Sequence, residues 1–199
     1  FQPGEELLPG GALGVIESEV FQNNFPDVML GLHILPELPL GTVGFKSGFY
    51  MASGDEVYIT VHGKGGHAAL PHTLIDPVLI SSHIIVALQQ VVSRKGPSSV
   101  PSVLSFGKIT SNGANNVIPN EVFIEGTFRT MDETWRKKAH QEIEQIATGI
   151  AKGMGGECDV EIRQGYPTLF NNPELTRFAA DVAEEFLGSE RVVELLIRM

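Results

Sequence analysis

Apolar and polar residues alternate along the middle of the chain with a period that switches between two and about 3.6. Val57, Ile59 and Val61 occupy every second position, which is typical of a strand with one buried face. Helical spacing follows from Asp76, where an Asp-Pro pair is a typical helix start. The elements predicted between residues 48 and 165 are a strand at 55–62, a helix at 76–94, strands at 101–110 and 121–129, a helix at 132–152 and a strand at 158–163.

This order, β-α-β-β-α-β, is the ferredoxin-like arrangement. We predict a four-stranded antiparallel sheet with both helices on one face, because that arrangement buries the apolar side of every element. Thr130 and Glu133 have the spacing of a capping box, which predicts that this segment opens the second helix.

The flanking blocks, residues 1–47 and 166–199, have shorter and less regular patterns. The chain starts at Phe1 rather than Met and stops within an apolar run, so we expect a piece of a longer protein. The elements predicted in these blocks are a short helix at 11–18, a buried strand at 28–34, a helix at 173–187 capped by Asn172 and a strand-like run at 192–197.

Composition excludes several classes of function. The formal net charge of −10 argues against a nucleic-acid backbone or an anionic membrane as partner. Cys158 is the only cysteine, so no disulfide forms within the chain, which is typical of a reducing, cytoplasmic location. Polar residues interrupt every long apolar run, and no signal peptide is visible.

The first candidate for chemistry is the segment that follows the strand at 55–62. Three glycines, Gly63, Gly65 and Gly66, lead to His67, and glycine permits backbone conformations that are closed to other residues. An imidazole held on such a turn can donate a hydrogen bond or bind a metal. The alternative is a polar hairpin tip with an incidental histidine.

Two further segments carry carboxylates and an imidazole. Glu5 and Glu6 are adjacent, and a dinuclear hydrolase needs one carboxylate on a metal and another that takes a proton from water. His33 lies among apolar residues, where it is either a metal ligand or a hydrogen-bonded core residue. Adjacent glutamates are otherwise ordinary solvated charges.

Polar residues also lie between and at the ends of the later strands. Asn115 and Asn116 join two strands, where their amides either bind a substrate carboxylate or form an Asx turn. Arg129 ends a strand, where it either binds an anionic group or is a solvated strand end.

Five motifs in this order resemble the aminoacylase and carboxypeptidase G group of metallopeptidases. The resemblance is closest to its amidohydrolase branch, which includes hippurate hydrolases, N-acyl-amino-acid deacylases and auxin-conjugate hydrolases. The motifs are F-Q-P-G-E-E at 1–6, G-L-H-I-L-P at 31–36, G-K-G-G-H-A-A-L-P-H at 63–72, N-N-V-I-P at 115–119 and G-T-F-R-T at 126–130.

The resemblance implies an α/β, zinc-peptidase-like catalytic domain with an inserted α+β ferredoxin-like satellite domain. Residues 1–47 and 166–199 would belong to the catalytic domain, and residues 48–165 would form the satellite and support a homodimer. The implied activity is metal-dependent hydrolysis of the amide bond of small N-acyl or N-aroyl amino acids. The alternatives are a dipeptidase of the same group and a non-catalytic dimerisation module.

The resemblance also implies roles for individual residues. Glu5 resembles the general base, and Glu6 and His33 resemble ligands of a divalent-metal pair, with Zn, Mn, Co or Ni as the candidates. His67 resembles a satellite histidine that reaches an active site, often across a dimer. Asn116 resembles a substrate-binding amide, and Arg129 a substrate-binding arginine.

The chain departs from this branch at both ends. A Cys-x-His ligand pair upstream of F-Q-P and a final His ligand near the C-terminus are both missing from the 199 residues. Cys158 lies in a satellite strand and does not match the ligand cysteine. We therefore expect the 199-residue chain alone to be inactive, and we expect the activity to require the whole protein.

Overall fold

A computed structural model describes residue 4 and residues 10–196. These residues divide into two compact units, one at 51–169 and one made of residues up to 50 and from 170 onward. The helices, numbered in chain order, are α1 (Ala12–Ile16), α2 (Glu19–Asn23), α3 (Pro77–Gln90), α4 (Glu133–Gly153) and α5 (Pro173–Leu187). The strands are β1 (Val43–Phe45), β2 (Gly48–Met51), β3 (Asp55–His62), β4 (Gly66–His67), β5 (Ser102–Ser111), β6 (Val117–Ile118), β7 (Glu121–Thr130), β8 (Glu157–Gln164), β9 (Leu169–Asn171) and β10 (Val192–Glu194).

The unit at 51–169, which we call the satellite unit, is built on a four-stranded antiparallel sheet in the order β5-β7-β3-β8. This spatial order and the β-α-β-β-α-β chain order are those of the predicted ferredoxin-like fold, which is confirmed. A shift in register between Phe106 and Lys108 marks an irregularity in β5.

The core of the satellite unit lies between one face of the sheet and both helices. Every second residue of β3 is buried from Asp55 onward, whereas the residues between them are only half-buried. The core contains Val57, Ile59 and Val61 from β3, Ile80, Ile84 and Leu88 from α3, and Ala139, Ile143, Ala147 and Ala151 from α4. Both helices therefore pack on the same face of the sheet, as predicted, and small alanines bring α4 close to it.

Local hydrogen bonds correct two predicted helix boundaries. The α4 helix begins at Glu133, because the side chain of Asp132 accepts a hydrogen bond from Trp135 N–H. The capping box on Thr130 is therefore wrong, since Thr130 is the last residue of β7. The helix predicted at 76–94 is α-helical only to Gln90, and a single π-helical turn, Val91–Lys95, continues it.

The other unit contains the parallel pair β1-β10, with α5 packed against both strands. The helix predicted at 173–187 is confirmed, and the side chain of Asn172 caps it by accepting from Leu175 N–H. Among the described helices, none is both long and apolar enough to cross a membrane.

The buried strand predicted at 28–34 is wrong, because these residues form no ladder and are largely exposed. The side chains of Leu32 and Ile34 are 91% and 83% exposed. A strand requires a neighbour for its backbone groups, and none of the described residues pairs with this segment. The apolar run alone therefore did not distinguish a strand from a segment without regular structure.

Candidate functional site

The loop between β3 and α3 brings two of the predicted site residues onto neighbouring segments. Within it, β4 pairs antiparallel with β6, so that His67 lies opposite Val117. Ala68 N–H then donates to the carbonyl oxygen of Asn116 at 3.0 Å. His67 and Asn116 are both exposed, so both side chains are accessible to a ligand. We call residues 62–70 and 116–121 the loop end of the satellite unit.

Glycine is required in this loop because other backbone atoms approach it closely. A Cβ atom on Gly65 would lie 2.7 Å from the carbonyl carbon of Pro119 and would also collide with the carbonyl oxygen of Ile118. Gly66 has a φ of +152°, which disfavours other residues. The glycine-rich motif is thus what allows β4 to lie against β6 and present His67.

Hydrogen bonding of the His67 ring defines which of its nitrogens can donate. Ala69 N–H donates to Nδ1 at 3.1 Å, so Nδ1 is an acceptor. A neutral imidazole with an acceptor at Nδ1 carries its proton on Nε2. His67 can therefore offer Nε2–H to an oxygen atom, which is what stabilisation of a developing oxyanion requires.

Arg129 lies far from this pair. It is exposed on the uncovered face of β7, where it pairs in register with Val103. It lies eight positions along β7 from Glu121 at the loop end, and a rise of about 3.3 Å per residue gives a separation of roughly 26 Å. Within one satellite unit, His67 and Arg129 therefore cannot contact the same small substrate.

The metal-ligating residues predicted from the sequence are not assembled in the described part of the chain. Glu5 and Glu6 lie outside the described residues. His33 is exposed, and its Nδ1 lies 2.7 Å from the carbonyl oxygen of Ile34. Within residues 10–196, His, Cys, Asp and Glu side chains form no group of three that could hold a metal ion. The described residues therefore do not form a metal site by themselves.

The sequence analysis missed a buried ionic network at the opposite end of β3. Asp55 is buried, and its carboxylate accepts from the Arg136 guanidinium and lies 2.7 Å from His140 Nε2. Burial favours the protonated carboxyl, but hydrogen bonds from His140 and Arg136 outweigh it and lower the pKa of Asp55 to about 2. The carboxylate is therefore charged and fully paired.

This network also holds the segment that follows β8. Arg136 donates to the carbonyl oxygen of Gly165 at 3.1 Å, and Gly165 N–H donates to Asp55 at 3.3 Å. Glu133 pairs with Arg136 and accepts from Thr168 N–H at 2.9 Å. We call Asp55, Glu133, Arg136 and His140 the junction network, because Asp55 and residues 165–168 lie next to the two boundaries of the satellite unit.

A pattern in the sequence does indicate this network. Asp55 has the same parity along β3 as Val57, Ile59 and Val61, so it points to the buried face. A carboxylate on a buried face requires a cationic partner. Arg136 lies next to core positions on α4, so it is a cation that could pair with the Asp55 carboxylate.

At the loop end, His62 lies between two carboxylates on the uncovered face of the sheet. Its Nε2 is 2.8 Å from Asp159, and its Nδ1 is 3.0 Å from Glu121. Hydrogen bonds to Asp159 and then Glu121 raise the pKa of His62. These contacts link β3 to both neighbouring strands directly before the glycine-rich loop.

Comparison with known proteins gives consistent results. Residues 55–155 match the peptidase dimerisation domain of the M20 family. The chain is 40% identical over 190 residues to an N-acetyldiaminopimelate deacetylase from Geobacillus sp. strain WCH70, with 94% of this chain and 50% of that protein covered. The chain thus spans about half the length of this curated relative.

Solved structures show the same fold. A candidate aminohydrolase from methicillin-resistant Staphylococcus aureus superposes with a TM-score of 0.84 at 32% identity, over 97% of this chain and 50% of that one. A dinuclear metal-binding peptidase of the M20 family from Bacillus subtilis gives a TM-score of 0.74 at 29% identity, over 100% of this chain and 48% of that one.

Proposed function

Because this chain belongs to the M20 peptidase dimerisation domain family, we propose that it is part of a metal-dependent hydrolase of N-acyl amino acids. The observation that carries the proposal is the exposed pair of His67 and Asn116 on adjacent segments of one loop. The similarity to a protein named as an N-acetyldiaminopimelate deacetylase supports an amide of an N-acylated amino acid as substrate. N-aroyl amino acids, as in hippurate, belong to the same substrate class.

Each site residue has a distinct task in this proposal. A pair of divalent ions bound by the whole protein, with Glu6 and His33 among the ligands, would activate water and polarise the scissile carbonyl. Glu5 accepts the proton of the attacking water. Nε2–H of His67 donates to the carbonyl oxygen as it gains negative charge. The Asn116 amide orients the substrate by donating to its carboxylate.

We further propose a homodimer formed through the edge strand β5. Both β5 and β8 are edge strands of the satellite sheet. Four of the eight residues of β8 are charged, and three of these are acidic, so two copies of β8 would repel each other. In β5 the only charged residue is Lys108, which is paired with Glu125 at 2.6 Å. A second copy of the chain therefore fits β5 better.

The helix that packs above this edge supports the same assignment. The α3 helix packs over β5 and β7, and apolar residues remain exposed along it, including Val86 at 74%. Val86→Glu should convert the dimer to a monomer in sedimentation velocity, because it places a charge in the apolar contact. Arg163→Glu on β8 is the control, and a monomer from that variant instead would assign the interface to β8.

The activity is tested with the full-length protein. Metal content is measured by elemental analysis, and hydrolysis of N-acetyl amino acids, N-benzoyl amino acids and dipeptides is measured as metal-dependent release of the free amino acid. Glu5→Gln should abolish turnover with the metal retained, whereas Glu6→Ala should lose metal. Hydrolysis of dipeptides alone would favour the dipeptidase alternative, and no hydrolysis by the metal-loaded protein would favour a non-catalytic dimerisation module.

Mixed dimers test whether His67 serves the partner's site. Neither His67→Ala nor Glu5→Gln dimers should turn over substrate at the normal rate. If His67 acts across the dimer, a mixture of the two variants forms sites in which an intact Glu5 meets an intact His67, and activity returns. An inactive mixture would show that both residues act within one subunit.

A lone cysteine is consistent with the cytoplasmic location that we propose. Burial raises the pKa of the Cys158 thiol to about 11, and the neighbouring Asp159 adds to the shift. The thiol is therefore protonated at neutral pH and is a poor nucleophile or metal ligand. Cys158 has no part in the proposed site.

A further inference from the structure

Hydrogen bonds to the loop that carries His67 converge on one residue outside it. Gly63 N–H donates to the carbonyl oxygen of Asn120 at 2.8 Å. Gly65 N–H donates to the side-chain oxygen Oδ1 of the same Asn120 at 2.9 Å. Asn120 thus accepts hydrogen bonds from the backbone amides of both Gly63 and Gly65. Gly65 lies two residues before His67.

Asn120 is itself fixed to the sheet. It directly precedes Glu121, the first residue of β7, which pairs in register with His62 at the end of β3. It follows Pro119, which is buried. The backbone of Asn120 is therefore anchored on both sides, although its side chain is exposed.

The glycines make this anchor necessary. Gly63, Gly65 and Gly66 give the segment more conformational freedom than any other residue type would. The other bonds that join the loop to the rest of the unit are backbone contacts to Ile75 and Asn116, the β4-β6 pairing, and the backbone and side-chain bonds that Thr73 donates to the carbonyl oxygen of Leu70. The Asn120 amide is the one side chain from outside the loop that accepts a hydrogen bond from residues 63–70 in the described structure.

We infer that Asn120 is a positioning residue for His67. Its Oδ1 atom holds Gly65 in place, and the place of Gly65 determines where the Nε2–H of His67 is presented. The inference rests on the proposed function for its effect on turnover, but the clamp itself is independent of any activity. Asn120 does not touch the reacting atoms and acts only through His67.

Two substitutions of Asn120 distinguish the effect of its acceptor atom, Oδ1, from that of the rest of the side chain. Asn120→Ala removes Oδ1, whereas Asn120→Asp keeps an oxygen at the same position. The backbone bond from Gly63 survives in both variants and provides an internal control. Since Asn120 is exposed, neither variant is expected to unfold the domain.

Amide hydrogen exchange in the 199-residue chain, followed by NMR, tests the clamp. In Asn120→Ala the exchange of Gly65 N–H should become about fivefold to tenfold faster, as the loss of one hydrogen bond implies. Gly63 N–H should keep its rate, and Asn120→Asp should restore the Gly65 rate. An unchanged Gly65 rate in Asn120→Ala, or equal acceleration at Gly63 and Gly65, would overturn the clamp.

Turnover of an N-acetyl amino acid by the full-length protein tests the consequence. Asn120→Ala should lower kcat about 10-fold to 100-fold with little change in KM or metal content, and Asn120→Asp should recover most of it. In a His67→Ala background, Asn120→Ala should change kcat less than about twofold, because both residues act through one group. Equal losses in both backgrounds, or no recovery by Asn120→Asp, would contradict the inference.

The two possible failures are distinguishable. If His67→Ala alone leaves turnover unchanged, the proposed role of His67 fails, while the exchange rates still decide whether the clamp exists. If His67→Ala lowers turnover but Asn120→Ala does not, the proposed function stands and the positioning role is wrong.

Discussion

The two ends of strand β3 hold polar side chains in opposite ways. At its first residue, Asp55 is buried and is paired by Arg136 and His140 of the junction network. Seven residues later, at His62, the loop end begins, and there His67 and Asn116 are exposed and are held through backbone bonds. Buried charges are costly unless paired, so the junction network serves the fold, whereas exposed donors remain available to a ligand.

Histidine illustrates the difference, because the satellite unit uses it in three settings. His140 pairs with the buried Asp55, and His62 bridges two surface carboxylates. In contrast, His67 accepts from a backbone amide and leaves its second nitrogen without a partner among the described residues. The three residues should therefore respond differently to substitution, and the following predictions measure that difference.

The largest effect on stability is expected at the junction network. Arg136→Met removes the guanidinium that pairs with the buried carboxylate of Asp55, and breaking a buried ion pair typically costs about 3–5 kcal/mol of unfolding free energy. Urea denaturation monitored by Trp135 fluorescence measures it. Arg94→Met, at an exposed arginine in the π-helical turn, is the matched control and should change stability by less than about 0.5 kcal/mol. Similar losses in both variants would show that Arg136 has no special role.

A smaller effect is expected from the titration of Asp55. Its pKa falls from 3.8 to about 2 on folding, so its contribution is complete above about pH 4 and is lost as the pH falls through about 2. The shift corresponds to roughly 2 kcal/mol. The difference in unfolding free energy between the native chain and Asp55→Asn should therefore shrink by about that amount between pH 5 and pH 2. A constant difference would contradict the assignment.

The smallest effect is expected at His62. Its pKa is raised from 6.5 on folding, so its ion pairs stabilise the fold below about pH 6.5 and are lost as the pH rises through the raised value. An exposed pair of this kind contributes at most about 1 kcal/mol and is weakened by salt. His62→Gln should remove this pH dependence in urea denaturation at pH 5.5 and 8.5. If His62→Gln lowered the unfolding free energy as much as Arg136→Met does, the two ends of β3 would not differ in their contribution to stability.

Much of the satellite fold could be predicted from periodicity because each element is amphipathic. Val57, Ile59 and Val61 define a strand with one buried face, and the alanine and isoleucine positions of α4 define the helix that covers it. The junction network was not predicted, because the alternation along β3 was followed only through its apolar residues and Asp55 was left out of the buried face. Its three-dimensional partners, Arg136 and Gly165, lie about 80 and 110 residues away along the chain.

The candidate site could be predicted only as a set of residue types. Glycine-rich spacing indicated that His67 is presented on a tight turn, and the structure adds the neighbouring Asn116 and the protonated nitrogen. The role of Asn120 was not predicted, because an asparagine beside a proline is typical of an ordinary turn. Its hydrogen bond to Gly65 joins residues that lie 55 positions apart along the chain. The segment at 28–34 shows the converse, since its pattern is apolar but none of the described strands pairs with it.

We expect the loop end to serve chemistry and to contribute little to stability. The most direct measurement is His67→Ala in the full-length protein, with turnover of an N-acetyl amino acid and unfolding free energy determined on the same preparation. We expect turnover to fall by a factor of about 100 to 1,000, as the loss of one oxyanion donor typically causes, with metal content unchanged and stability altered by less than about 0.5 kcal/mol. Near-normal turnover, or a loss of turnover that merely follows a loss of stability, would contradict the claim.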